Sequence, residues 1–565
     1  MSLSEEFAQK RFHKKMETPN PSRQQERKDL CWSSWKAFDE GLPSQFGILP
    51  GNWYRARLKA HEALRRFRIG DVSITDGSEF TSTRGLNSLE SKLARSSLDI
   101  TRGAVDLFTD LTCSHRGLKV MIRKRYLRRV IKLGLCAKSI DRFLWKEIKA
   151  KNPGFSPQEV VREVWRAKVV FTTKFVEGSR FSTVPKNNEK DRPINIEPLG
   201  NILVQRAIGN GIRSLLSEEF GIDLDNDALK HRYLVATKIA TLDLKDASDS
   251  VTLALCKFLF PRWFFDLLMQ ARSPLILGPD HMYHDVKKIS SMGNGFTFEL
   301  MTLIIACLGR VHDPSFSVFG DDIIVSNDRA AGVISDLEAV GFVINKEKSF
   351  VNSEFRESCG ANFLDGYGYI ESFDFKFPKT IHDCVTIFNK SQRLAIVYPS
   401  FVRLRDNLLR AIPLALRGAR DFFLETEVAR GPLDDELLSG WFKTGFPSKG
   451  VSPEISYPVN FDHYLTQFKV DSHIDLDETA RFFYAYEFKS DLASDTISHL
   501  RPKIHWAKYL MYLHGGRKVK DVIRDSGAWV KVLSIELGQS VYRWKDLVQA
   551  IHSSNRPSEH FCLGD

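Results

Sequence analysis

Two adjacent aspartates, Asp321 and Asp322, follow a glycine in VFGDDIIV (residues 318–325), between two β-prone apolar runs. The pattern predicts a β-hairpin with its carboxylates at the turn. A charged pair at a hairpin tip is costly unless a cation neutralises it, and hard divalent ions such as Mg2+ prefer carboxylate oxygen. The same doublet suits an ordinary turn facing water, so a third ligand is what separates the two readings. IATLDLKDASDSVTLALC (residues 239–256) ends an apolar strand at Asp243 and is expected to enter a helix carrying Asp249. Brought beside the hairpin, Asp243 completes a carboxylate set for two-metal chemistry, in which ions about 3.5–4 Å apart serve a displacement at phosphorus. Asp246 reads as a first-turn acid favoured by the helix dipole. Asp249 falls about one and a half helical turns beyond Asp243, away from the metals.

Three further segments carry groups suited to an anionic substrate. In STVPKNNEKDRPINIEP (residues 182–198), Lys186, Lys190 and Arg192 lie in a proline-bounded stretch with little helical character. Such cations can shield a triphosphate, or simply make a solvated basic loop. In KISSMGNGFTFELMTL (residues 288–303), Gly293 and Gly295 make a flexible turn before a long apolar helix. Backbone without side chains can approach a nucleic acid closely, although a glycine pair equally marks a plain loop. RGLKVMIRKRYLRRVIKL (residues 116–133) gathers Arg116, Lys119, Arg123, Lys124, Arg125, Arg128, Arg129 and Lys132 with no acidic residue among them. Spacing by threes and fours assigns Val120, Leu127 and Ile131 to an apolar side and the cations to the other, as a phosphate-tracking surface or a solvated helix face.

The elements that must position these groups change in texture along the chain. Residues 1 to about 45 are charged and polar, with Pro19 and Pro21, and are expected to wrap or fray rather than join a core. Leu89 to Ile148 reads as helices. From Phe181 to Gly360 short strand-like runs (IATLDL, FSVFG, DIIVS, GFVIN) alternate with helical stretches, an α+β core with carboxylates at strand ends. Beyond Pro378 the pattern is again mostly helical. The 565 residues exceed one compact domain, and a net charge of +11 with pI near 9.1 suits a polyanion-binding channel. The eight cysteines show no CxxC pair and no histidines at zinc spacing, so reduced thiols in a cytosolic protein are expected. The start has no signal-peptide core, and the apolar run from Leu300 to Leu308 is too short to span a bilayer.

Taken in order, these segments match the polymerase motifs lettered F, A, B and C, followed by GFVINKEKSF (residues 341–350) as D and FRESCG (residues 355–360) as E. Over residues 180–360 the chain resembles the replicases of positive-strand RNA bacteriophages, the leviviruses. The resemblance implies an RNA-dependent RNA polymerase with a right-hand fold of fingers, palm and thumb and an antiparallel palm sheet. It implies two Mg2+ ions, for which Mn2+ can substitute, on Asp243, Asp321 and Asp322, with RNA as template and product and ribonucleoside triphosphates as substrates. Asp249 would sense the ribose, and Lys348, or Lys346 two positions away, would give a proton to the leaving pyrophosphate. Lys186, Lys190, Arg192, Ser291, Gly293 and Asn294 would bind the nucleotide.

Phe319 stands where such replicases commonly carry tyrosine, and Met301 where many other viral RNA polymerases have asparagine. Recognition of the 2′-hydroxyl is thereby left to Asp249 and to Ser291 or Thr297. The implied layout is an N-terminal region and fingers over 1–180, fingers with motif F and a link to the palm over 181–240, a palm with motifs A to E over 241–380, and a helical thumb and C-terminal region over 381–565. Family precedent adds host translation elongation factors Tu and Ts, and a small-subunit ribosomal protein, as partners in the cytoplasm of an infected bacterium. A reverse transcriptase shares two-metal chemistry, but Gly320 and SSMGNG argue for RNA synthesis; intact Asp243, Asp321 and Asp322 argue against a non-catalytic RNA-binding scaffold.

Overall fold

The computed structural model describes residues 2–16, 24–73, 97–187, 190–373 and 393–411, with Phe80, Phe375, Ile387, Lys390 and Ser391. Its helices are α1 (Leu3–Met16), α2 (Gln24–Gly41), α3 (Gly51–Leu64), α4 (Val105–Ser114), α5 (Arg116–Lys132), α6 (Ala137–Lys151), α7 (Pro157–Thr172), α8 (Leu199–Phe220), α9 (Asp227–Leu234), α10 (Leu253–Leu259), α11 (Arg262–Ala271), α12 (Thr297–His312), α13 (Asn327–Glu338) and α14 (Val402–Ala411). Its strands are β1 (Leu98–Ile100), β2 (Thr173–Phe175), β3 (Gly178–Pro185), β4 (Asp191–Ile196), β5 (Ala240–Lys245), β6 (Leu275–Leu277), β7 (Tyr283–Asp285), β8 (Ser317–Phe319), β9 (Asp322–Val325), β10 (Val343–Ile344), β11 (Phe355–Ser358), β12 (Ala361–Leu364) and β13 (Gly368–Ile370). The chain divides into two compact units, Asn20–Cys359 and Met1–Pro19 with Gly360–Asp565.

Within Asn20–Cys359, the four runs expected to be strands pair into one antiparallel sheet of order β10-β5-β9-β8. Leu242, Leu244, Ile323 and Val325 are buried on it. Behind it lies α12, whose Leu300, Leu303, Ile304, Ile305 and Leu308 are all fully buried. A helix apolar all round is a core helix, and each such side chain stabilises by roughly 1.5–3 kcal/mol relative to exposure. It packs against α3 and α8. A second sheet, of order β4-β3-β6-β7, carries the β3–β4 hairpin that holds Lys186 and Arg192. In the other unit, Phe12 of α1 meets Phe375 and Phe401 edge-on at 5.0 and 5.9 Å, and β12 pairs with β13. Among the described residues, no helix is long and apolar enough to cross a membrane.

Several local expectations need correction. The described parts of residues 1 to 45 join a core: α1 buries Phe7, Ala8 and Phe12, and α2 buries Trp35 and Asp39. The low mean hydropathy of these helices hid a few large anchors spaced for one face. Residues 98–100 form a strand rather than part of a helical run, and residues 89–96 lie outside the described residues. On α5 the inward face is Leu118, Ile122, Arg125, Tyr126 and Val130, whereas Val120 and Ile131 are exposed. Val120, Leu127 and Ile131 competed for the core with the i, i+4 row Leu118, Ile122, Tyr126 and Val130, and the row carrying Tyr126 took it. The segment after β5 is a short 3-10 turn at Ala247–Ser250, entered through Asp246 at φ 50, so no helical turns separate Asp243 from Asp249. Apart from Ile387, Lys390, Ser391 and 393–411, the expected helical region 381–565 lies outside the described residues.

Gly293 also has protein close beside it. With φ 104, a Cβ on Gly293 would sit 2.2 Å from the Asn195 carbonyl oxygen, and the Asn195 N–H donates to the Met292 carbonyl at 2.8 Å. Gly293→Ala is therefore expected to lower unfolding stability by about 2–3 kcal/mol, from left-handed backbone strain plus the clash. Denaturant unfolding measures this, and an unchanged midpoint would show that the loop has room the structure denies it.

Candidate active site

The hairpin of β8 and β9 turns at Gly320 and Asp321, with Phe319 opposite Asp322. Gly320 has φ 64, and a Cβ there would lie 2.3 Å from the Phe298 ring, so the residue before the doublet must be glycine. On the other side of β9, Asp322 is the direct cross-strand partner of Asp243 on β5. Asp243 is buried, Asp322 half-buried and Asp321 exposed at the tip.

The loop after β10 secures this rung. The Asn345 amide donates to Asp243 Oδ2 at 2.5 Å, and its backbone N–H donates to the Asp243 carbonyl at 2.8 Å. Lys348 Nζ stands 3.5 Å from Asp243 Oδ1, while Lys346 is exposed, so of the two lysines it is Lys348 that reaches the carboxylate. The Cys359 N–H donates to Asp322 Oδ2 at 3.2 Å. Burial pushes the Asp243 carboxyl up to about 6, with Lys348 opposing and Asp321 adding to the rise. Burial pushes Asp322 up to about 7, reinforced by the negative charges of Glu357, Asp321 and Asp243.

These are carboxylates short of positive charge. Among the described residues no three His, Cys, Asp or Glu side chains are gathered closely enough to hold a metal as a set. The donor chemistry nevertheless fits Mg2+ or Mn2+: hard oxygens, two of them on one rung, with ionisation disfavoured until a cation arrives.

A cavity of about 350 Å3 opens beside the end of β5. Lys186, Lys190 and Arg192 of the β3–β4 hairpin line it together with Asp246, Asp249 and Trp35. Partial burial in the wall, and then the charge of Arg192, hold the Lys186 ammonium below the usual lysine range. Asp249 is buried, and its Oδ1 accepts from Trp35 Nε1 at 3.0 Å and from Lys288 Nζ at 3.1 Å. Ser291, Gly293 and Asn294 do not line this cavity; Ser291 and Asn294 are buried in the loop beside Glu197, and Gly293 is exposed there. There Asn294 Nδ2 donates to Glu197 Oε1 at 3.4 Å, Ser273 donates to Glu197 Oε2 at 2.5 Å, and Thr297 donates to the Ser291 carbonyl at 2.8 Å. Full burial raises the Glu197 carboxyl above its ordinary range. Met301 is buried in α12.

Sequence reasoning missed Trp35, Lys288, Asn345, Glu197 and Glu357. Asn345 and Lys288 were legible in principle, as polar residues beside apolar runs. Trp35 lies 214 residues from the carboxylate it contacts, and nothing local announces that pairing.

The family model described as RNA replicase, beta-chain matches residues 151–434. The RNA-directed RNA polymerase subunit beta of Escherichia virus Qbeta is 40% identical over 215 residues, 36% of this chain and 36% of that protein. The subunit of the same name from Enterobacteria phage SP is 36% identical over 253 residues, 42% of this chain and 44% of its own length. The chain thus spans less than half the length of these relatives. The crystal structure of the RNA-dependent RNA polymerase of a human picorbirnavirus gives TM-score 0.29 at 13% identity, over 41% of this chain and 55% of that one, a likeness too slight to carry an argument about fold. The family match takes in motifs F to E, the carboxylate rung and the basic hairpin: the chain belongs to the RNA replicase beta-chain family.

Proposed function

We propose that this protein is an RNA-dependent RNA polymerase that replicates the genome of a positive-strand RNA phage, adding ribonucleotides to a growing RNA 3′ end. The observation that carries the reading is the pairing of Asp243 with Asp322 on one rung, with Asp321 at the adjoining hairpin tip. In this reading the β10-β5-β9-β8 sheet is the palm of a right-hand fold. Asp243, Asp321 and Asp322 would hold two Mg2+ ions, with Mn2+ able to substitute; when bound, such ions supply activation of the attacking 3′-hydroxyl and charge stabilisation at the leaving pyrophosphate.

The protein's own groups do the rest. Lys186, Lys190 and Arg192 draw the triphosphate into the cavity beside β5. Asp249 lines the same cavity and accepts a hydrogen bond from the ribose. Lys348, held at Asp243, donates a proton to the departing pyrophosphate. The SSMGNG loop, with Ser291, Gly293 and Asn294, shapes the floor under the incoming nucleotide through its buried bonds to Glu197 and Asn195. The relatives are named as subunits, which supports assembly with other chains. Host elongation factors Tu and Ts, with a small-subunit ribosomal protein, are the partners proposed, in the cytoplasm of the infected bacterium.

The exposed cations of α5 complete the picture. Arg116, Arg123, Lys124, Arg128 and Lys132 form no ion pair with any described residue, so they are available to phosphates. Replacing Arg123, Lys124, Arg128 and Lys132 by glutamine should weaken RNA binding and lower the log–log salt slope by roughly 0.7–0.9 for each phosphate no longer neutralised. A filter-binding salt titration reads this, and an unchanged slope would return α5 to a solvated face.

The central roles are tested by Asp243→Asn and Asp321→Asn, each expected to abolish ribonucleotide incorporation while RNA affinity stays within about twofold, because binding rests on cations elsewhere. Primer-extension and binding assays run side by side are the measurement. Substantial Mg2+-dependent synthesis by either variant would remove that residue from the metal site.

A further inference from the structure

We infer that Trp35 and Lys288 are positioning residues for sugar selection, fixing the Asp249 carboxylate so that one oxygen is left for the ribose 2′-hydroxyl. This rests on the reading of Asp249 as the sugar-facing carboxylate.

Both donors converge on the same atom. Trp35 Nε1 and Lys288 Nζ reach Asp249 Oδ1 at 3.0 and 3.1 Å, and no described residue bonds Oδ2. Asp249 lines the cavity together with Lys186 and Arg192, so the group it offers a ligand there is a hydrogen-bond acceptor beside phosphate-binding charge. A donor hydroxyl on a phosphorylated sugar is the chemistry that matches. The 2′-hydroxyl is such a donor, and a deoxyribonucleotide lacks it.

The two donors are themselves held. Lys288 is 1% exposed, and its ammonium sits 4.0 Å over the Trp35 ring, between Asp249 and Asp39 at 3.5 Å. The Asp39 carboxylate accepts the Lys287 N–H at 3.2 Å. Trp35 is stacked on Trp32 at 5.5 Å and packs against Phe181 at 5.4 Å. An ion pair serving only to tie α2 to the segment before SSMGNG would be complete with Lys288 and its two carboxylates. The indole N–H aimed at the oxygen that already accepts from the lysine adds no tie of that kind; it fixes the rotation of the Asp249 carboxylate. A buried polar group set to meet a substrate hydroxyl rejects the analogue that lacks it, and the rejection weakens as the group is freed to turn.

The test compares single-nucleotide incorporation of each ribonucleoside triphosphate with its deoxy counterpart by the full chain and by Trp35→Phe, Lys288→Met and Asp249→Ala. Trp35→Phe keeps a ring against Trp32 and Phe181 and deletes only the donor. It should lower kcat/KM for ribonucleotides roughly tenfold, mostly through KM, and leave deoxyribonucleotides unchanged, the loss expected for one hydrogen bond to a charged group. Lys288→Met should do the same or more, and Asp249→Ala should lose the most. Should Lys288→Met fail to fold, Trp35→Phe decides alone. Equal losses for both sugars, or an unchanged ratio in Trp35→Phe beside a collapsed ratio in Asp249→Ala, would reduce Trp35 and Lys288 to structural ties and overturn the inference while sparing the role of Asp249. An unchanged ratio in Asp249→Ala would overturn both.

Discussion

Two carboxylates that share one rung of an antiparallel sheet repel one another, and the fold places Asp243 and Asp322 in that relation with the first buried and the second half-buried. The repulsion is tolerable only because other groups are arranged around it. Asn345 and Lys348 engage Asp243 from the following loop, and the Cys359 N–H engages Asp322 from beyond β11. Buried Glu357 works against them, adding negative charge near Asp322. The net result is a pair of carboxyl groups whose ionised forms are disfavoured, and opposite charge brought from outside would offset that cost. The apolar bulk of α12 and the steric demand at Gly320 follow from the same need, since the hairpin must be rigid for the rung to stay in register.

The second constraint lies on the cavity side. Lys288 is an ammonium removed from solvent, which would be costly alone, and Asp39, Asp249 and the Trp35 face together offset that cost. In doing so they bind α2, from the far N-terminal side of the unit, to the 3-10 turn that follows β5 and to the segment leading into the SSMGNG loop. Three parts of the chain therefore meet at one carboxylate, and that carboxylate faces a basic cavity.

The legible part of this arrangement was the part encoded locally. The apolar runs flanking GDD are a short-range signal that predicted the β8–β9 hairpin, and the separate apolar run ending at Asp243 predicted β5. The cations of the 182–198 segment were found by type and spacing, and the structure brings them to one cavity with Asp249. What escaped depended on distance or on competition. The role of α2 rests on a Trp35–Asp249 contact across 214 residues, which no window of sequence can contain. The inward face of α5 was misjudged because Val120 and Ile131 mimic a buried row. The glycines of SSMGNG were read as a turn that lets backbone approach a nucleic acid or as a plain loop, and no window of sequence could show that a Cβ at Gly293 would meet the Asn195 carbonyl.

The claim on which the rest depends is that the Asp243–Asp322 rung exists to hold divalent metal. Titration of Mn2+ into the full chain, followed by electron paramagnetic resonance, tests it without recourse to activity. The account predicts saturable Mn2+ binding that Mg2+ displaces and that Asp322→Asn weakens by at least about tenfold. Binding of equal affinity and stoichiometry in the wild-type chain and in Asp322→Asn would contradict it.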